Sequence, residues 1–196
     1  MARRILTAAT GLAVVASALG AAPATARPAA GPGHDTVAAS AKAPCSAYRA
    51  PGRVQIVRGM PEATKLKARQ LLTRSVRCDS TALISMATKE RPRLSFGVDD
   101  PKAMLAVPDA DGRYAGLATV LTSTRPGYDA VSKTYVWPRV ATEKHWNDPV
   151  AWREAIRAGL VTEKQYREAR RNEEGYRGWR LSVTSSGAWS SHVAGD

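Results

Sequence analysis

The chain closes, from Gly175 to Asp196, on G-Y-R-G-W-R-L-S-V-T-S-S-G-A-W-S-S-H-V-A-G-D. Trp179, Leu181 and Val183 alternate with Arg180, Ser182 and Thr184, and Trp189 and Val193 recur at even spacing beyond Ser185-Ser186-Gly187. Period two on both sides of a turn predicts a β-hairpin with one apolar face, from which His192 points away toward solvent. All five tryptophans, at 137, 146, 152, 179 and 189, follow residue 136. Aromatic rings carry the largest apolar area per residue, so the core is expected to be anchored in this part of the chain.

Working back from the hairpin, Thr162 stands three residues before Gln165, a capping box, with Val161 and Tyr166 placed for a hydrophobic staple. The helix it opens is expected to run to about Glu174. Asp148-Pro149 opens another, carrying Val150, Trp152, Ala155 and Ile156 and closed by Gly159. Thr134 to Trp137 reads as a strand stopped by Pro138, able to join the hairpin in a three-stranded sheet. Tyr114, Leu117, Ala118 and Leu121 have helical spacing, although Thr119, Val120 and Thr122 to Thr124 would also suit a strand; helix is the reading adopted.

Further upstream, Asp99-Asp100-Pro101 starts a short helix through Leu105, and Pro108 to Gly112 is a turn. Leu94 to Phe96 reads as strand or extended chain. Two helices, from about 61 to 77 and from Asp79 or Ser80 to just before Pro92, are joined closely enough to pack as a hairpin. Val54 to Val57 reads as a short strand. The class expected is α+β: N-terminal helices packed on a small antiparallel sheet completed by the C-terminal β-hairpin, with a helical pair inserted between its strands.

The amino end has another character. Arg3 and Arg4 precede a mildly apolar run from Ile5 to Ala22 and the small-x-small site Ala24-Thr25-Ala26, so residues 1–26 are read as a secretory signal peptide. Residues 27–44 are small, Pro- and Gly-containing and aperiodic, and are read as a disordered spacer. Residues 45–196 remain as a single α+β domain without a further transmembrane segment. Cys45 and Cys78 are the only two cysteines. In an oxidising compartment such a pair forms a disulfide, and closing a loop of about 34 residues stabilises by roughly 3–4 kcal/mol.

Loss of Arg3 and Arg4 would leave 27 basic against 17 acidic residues, a formal charge of +10. A cation of this size attracts polyanions, anionic cell-wall polymer being the partner expected here and nucleic acid ranking below it. Arg153, Arg157, Arg167, Arg170, Arg171, Arg177 and Arg180 crowd the last third beside Tyr166, Tyr176 and Trp179. Arg167, Arg170, Arg171, Arg177 and Arg180 are the anion-binding candidates. Against this stands the plainer reading of a solvated face balanced by Glu154, Glu163, Glu168, Glu173 and Glu174.

No motif marks a reaction. G-x-S-x-G, Walker, G-x-G-x-x-G, H-E-x-x-H and C-x-x-C patterns do not occur, and His34, His145 and His192 are too scattered for a local metal cluster. No cofactor is expected, and Asp109-x-Asp111-Gly112 is read as a turn, with a calcium loop as the lesser alternative because the remaining ligands of such a loop are missing. At Y-V-W-P-R-V (135–140) and in the 175–196 stretch the chain resembles uncharacterised secreted proteins of high-GC Gram-positive bacteria that end in a Trp–Gly–Asp hairpin. That resemblance implies export and a shared fold, and it carries over no catalytic residue or named activity. The leading expectation is a secreted, non-catalytic, envelope-associated or extracellular binding domain with a basic face. The alternative is a small secreted hydrolase whose acids, Asp99, Asp111 or Asp148 with His145 or a serine, meet only in the fold, and a small-ligand carrier ranks third.

Overall fold

The computed structural model describes residues 44–97 and 100–195. The signal peptide read at 1–26, residues 27–43 of the spacer, Asp99 and Asp196 lie outside the described residues. Helix α1 (Glu62–Val76) buries Thr64, Ala68, Leu71, Leu72 and Ser75, a stripe at helical spacing. Helix α2 (Ser80–Glu90) is capped by Asp79, whose carboxylate accepts the Ala82 N–H at 3.1 Å, and it buries Leu83 and Ala87. Helix α3 is the short Pro101–Met104 turn behind the Asp100 cap.

The ambiguous run resolves as helix α4 (Arg113–Ser123), and it is apolar on most sides because it lies inside the molecule. Its first turn is satisfied from the preceding loop. Asp109 accepts the Tyr114 N–H at 2.9 Å, Asp111 accepts the Arg113 N–H at 3.1 Å, and Ser46 Oγ accepts the Ala115 N–H at 2.8 Å. Both acids of the Asp109-x-Asp111 pair therefore cap a helix.

The sheet is antiparallel throughout in the order β1-β2-β3-β4: β1 (Gly127–Asp129), β2 (Thr134–Trp137), β3 (Arg180–Thr184) and β4 (Trp189–Val193). The sequence predicts three strands; the fourth, β1, is a three-residue edge that pairs Tyr128 with Tyr135 across a turn held by Asp129. Helices α5 (Pro149–Arg157) and α6 (Glu163–Arg171) are inserted between β2 and β3. Trp137, Leu181, Val183 and Trp189 are at most 1% exposed and join one core cluster with α1, α2 and α4. A second cluster gathers Val140, Trp152, Ala155, Val161, Ala169 and Tyr176 around the inserted pair.

The terminal hairpin ties these parts together. Thr64 Oγ1 donates to the Thr184 carbonyl at 2.9 Å, and Glu90 accepts the Trp189 N–H at 2.6 Å while pairing with Lys67. Two close approaches require glycine. A Cβ on Gly116 of α4 would meet the Trp179 ring at 2.7 Å, and one on Gly187, at φ +86°, would meet the Ala63 carbonyl oxygen at 2.8 Å. Cys45 and Cys78 are bonded, with Cα atoms 5.6 Å apart.

Three sequence expectations are corrected. Val54 to Val57 is no strand; Gln55 N–H donates to the Leu121 carbonyl at 2.8 Å and the Gln55 carbonyl accepts Trp137 Nε1 at 3.0 Å, so this segment straps the end of α4. Helix α6 stops at Arg171 rather than near Glu174, because Glu173 turns left-handed at φ +54° and the Glu174 N–H closes on the Ala169 carbonyl. His192 is fully buried rather than solvated. The pairing passes from Ser182↔Ser191 to Val183↔Trp189, which leaves Ser190 as an extra residue. This bulge shifts the alternation by one, so Trp189 and His192 both face inward.

Candidate functional site

The inserted helices present the arginines. Asp148 caps α5 through the Val150 N–H at 2.8 Å, with Pro149 in the first turn, and α6 opens on the complete Thr162–Gln165 capping box. Between them Trp152 lies 5.2 Å from the Tyr166 ring and 5.8 Å from the Tyr176 ring. Apolar residues face this small core, which leaves Arg153 and Arg157 of α5 and Lys164, Arg167, Arg170 and Arg171 of α6 exposed.

The five candidate arginines separate into two groups. Arg167, Arg170 and Arg171 share α6. Arg167 lies 3.7 Å from Glu163 one turn away, Arg170 donates to Asn147 Oδ1, and Arg171 makes no ion pair with a described residue. Arg177 is exposed and pairs with Glu174 at 3.2 Å. Arg180 is half-buried, donates to the Tyr176 and Gly195 carbonyls at 3.3 and 3.0 Å, and stacks on Phe96. Its guanidinium thus holds Gly195 to β3.

The charges on α6 are four exposed cations, one exposed carboxylate, Glu163, and one half-buried carboxylate, Glu168. Pairs such as Arg167–Glu163 and Lys164–Glu168, the latter at 3.9 Å, are solvent-exposed contacts worth little for stability. Arg153 and Arg157 make no ion pair with a described residue. Arg153, Arg157 and Arg171 are thus the exposed cations of α5 and α6 with neither an ion pair nor a side-chain hydrogen bond to a described residue.

The acids of the hydrolase alternative stand in two clusters. Asp148 lies 3.8 Å from His145 Nδ1 and 3.4 Å from Arg139, which also reaches Glu154 at 3.4 Å. The Val150 N–H and the Arg139 charge hold the Asp148 carboxyl below its ordinary range, and burial, with Arg139 and Lys144, lowers the His145 imidazole. Asp111 belongs to the other cluster, 3.0 Å from Arg113 Nη2. Arg113 also donates to the Leu94 and His192 carbonyls at 2.7 and 3.1 Å and lies 5.1 Å from the Trp179 ring. His192 stacks on that same indole at 4.8 Å, with Nε2 donating to the Arg113 carbonyl at 3.1 Å. Burial pushes its imidazole down to about 4.

One surface residue reads as core in the sequence. Trp146 is 41% exposed, just past a 3-10 turn (Glu143–His145) that leads into α5. It walls an open cavity of about 410 Å³ with Asn147, Ala169, Arg170, Glu173 and Glu174. The available signal is its setting, H-W-N-D-P, a tryptophan among polar residues just ahead of a helix cap.

Among the described residues no group of three or more His, Cys, Asp or Glu side chains could hold a metal ion, and no helix is long and apolar enough to cross a membrane. Comparison with protein-family models, with curated proteins and with solved structures finds no match to the chain.

Proposed function

We propose that this is an exported, non-catalytic binding domain that attaches to an anionic polymer of the cell envelope through the cations of α5 and α6. The observation that carries the reading is the set Arg153, Arg157, Arg167 and Arg171: all are exposed, and three of the four make no ion pair with a described residue. Charge of this kind draws a polyanion by long-range attraction and holds it by many weak contacts. The signal-peptide pattern at 1–26 and the resemblance to secreted proteins of high-GC Gram-positive bacteria support export, and the Cys45–Cys78 disulfide suits an oxidising compartment.

The test is retention of the disulfide-intact protein on isolated Gram-positive cell walls, before and after extraction of their anionic polymer. Retention is expected to fall on extraction and to fall again in an Arg153/Arg157/Arg167/Arg171→Gln variant. Equal retention on native and extracted walls contradicts the proposal.

A further inference from the structure

We propose that the cavity beside Trp146 is a second binding site, for an uncharged sugar unit of a glycan. It shares only Arg170 with the cations of α5 and α6 and none of Arg153, Arg157, Arg167 and Arg171, and its volume of about 410 Å³ falls within the range of small-ligand sites.

Three observations converge on this chemistry. The Trp146 ring is exposed on a main chain that is pinned, since its carbonyl accepts Trp152 Nε1 at 2.6 Å. It also lies against the Gly175 backbone, where an added Cβ would stand 3.8 Å from the ring. A fixed, half-exposed indole is a platform for the apolar C–H face of a pyranose, with little entropy lost on binding. The lining then supplies planar polar groups of both senses. Arg170 and the Asn147 amide donate, and the carboxylates of Glu173 and Glu174 accept, as vicinal hydroxyls require.

The charges disfavour other occupants. Two carboxylates repel an anion, while Arg170, held in the lining by Asn147 Oδ1, opposes a cation. Glu174 already holds Arg177 at 3.2 Å, whereas Glu173 makes no ion pair with a described residue. Glu173 sits left-handed, at φ +54°, just past the C-terminus of α6. Glycine or asparagine is the usual residue there, and a carboxylate also meets the negative end of the helix dipole. A residue unfavourable on both counts for stability lines this cavity.

The experiment follows tryptophan fluorescence and calorimetric heat of the oxidised protein with neutral tetrasaccharides: β-linked N-acetylglucosamine, β-linked glucose and α-linked glucose. Saturable binding of at least one is expected, unchanged between about 50 and about 500 mM salt. Trp146→Ala is expected to weaken it about tenfold or more, Trp146→Phe to restore most of it, and the Arg153/Arg157/Arg167/Arg171→Gln variant to leave it intact. No binding by any of the three sugars overturns the proposal, as does binding that Trp146→Ala does not change or that salt abolishes. Failure of the cell-wall test with sugar binding intact would refute only the polyanion reading.

Discussion

Protonation of His192 should unfold this domain more readily in mild acid than its surface charge alone would. The side chain is fully buried, stacked on Trp179 and faced by the Arg113 guanidinium, and its imidazole lies at about 4 against an ordinary 6.5. A folded value below the unfolded one means that the unfolded chain takes up the proton first. Stability from the neutral ring is therefore complete above 6.5 and is lost as pH falls toward the folded value. Each tenfold difference in proton affinity between the two states is worth about 1.4 kcal/mol, so the full effect is about 3 kcal/mol, of which about 2 kcal/mol is gone on moving from about pH 7.5 to about pH 5. Urea unfolding of the oxidised protein at those two pH values measures it. His192→Gln keeps an N–H for the Arg113 carbonyl but cannot be protonated, and its stability should change by about 2 kcal/mol less than that of the parent between the two conditions. His145, also lowered, contributes in the same direction in both proteins and cancels. Equal losses for parent and His192→Gln would refute the reasoning.

Other perturbations probe separate parts of the fold. Gly116→Ala drives a methyl into the Trp179 ring at 2.7 Å and should cost about 1–3 kcal/mol by chemical denaturation, despite alanine's better helix propensity. Reducing the Cys45–Cys78 bond should lower stability by roughly 3–4 kcal/mol, read as a lower urea midpoint. Thr162→Ala, which breaks the capping box, should cost about 1 kcal/mol and speed amide exchange in α6 before that in β3 and β4. Ending the chain after Glu174 removes Leu181, Val183 and Trp189, each worth about 1.5–3 kcal/mol of burial, together with the Thr184 and Trp189 bonds to α1 and α2. The truncated chain should lose cooperative unfolding by calorimetry; a sharp transition would show that the hairpin is not what closes the core.

Local signals carried most of the architecture. Asp79, Asp100-Pro101, Asp148-Pro149 and Thr162–Gln165 each start the helix that their side chains cap, because capping is a contact within a few residues. The hairpin is legible from its period of two, and the disulfide because only two cysteines exist. What escaped depends on contacts far along the chain. Nothing near Ser190 announces a bulge, yet that single extra residue moves His192 from solvent to core. Strand β1 is too short to show a period, and the Gln55 side chain of the 54–57 segment finds its acceptor at the end of a helix 67 residues away. At the surface, composition located the arginines on α6 but could not separate Arg180, which braces Gly195, from Arg171, which is exposed. Trp146 reads like the other tryptophans because indole area argues for burial wherever it occurs.

Whether exposed guanidinium groups, acting as charges, hold a polyanion decides the function. The direct measurement is the dissociation constant for purified poly(glycerol phosphate), for the parent and for the Arg153/Arg157/Arg167/Arg171→Gln variant, over a salt series. At about 0.5 kcal/mol per exposed contact, the variant should bind roughly thirtyfold more weakly at low ionic strength. The two proteins should converge as salt shortens the reach of the field. Parent and variant binding with the same constant at low salt would contradict the account.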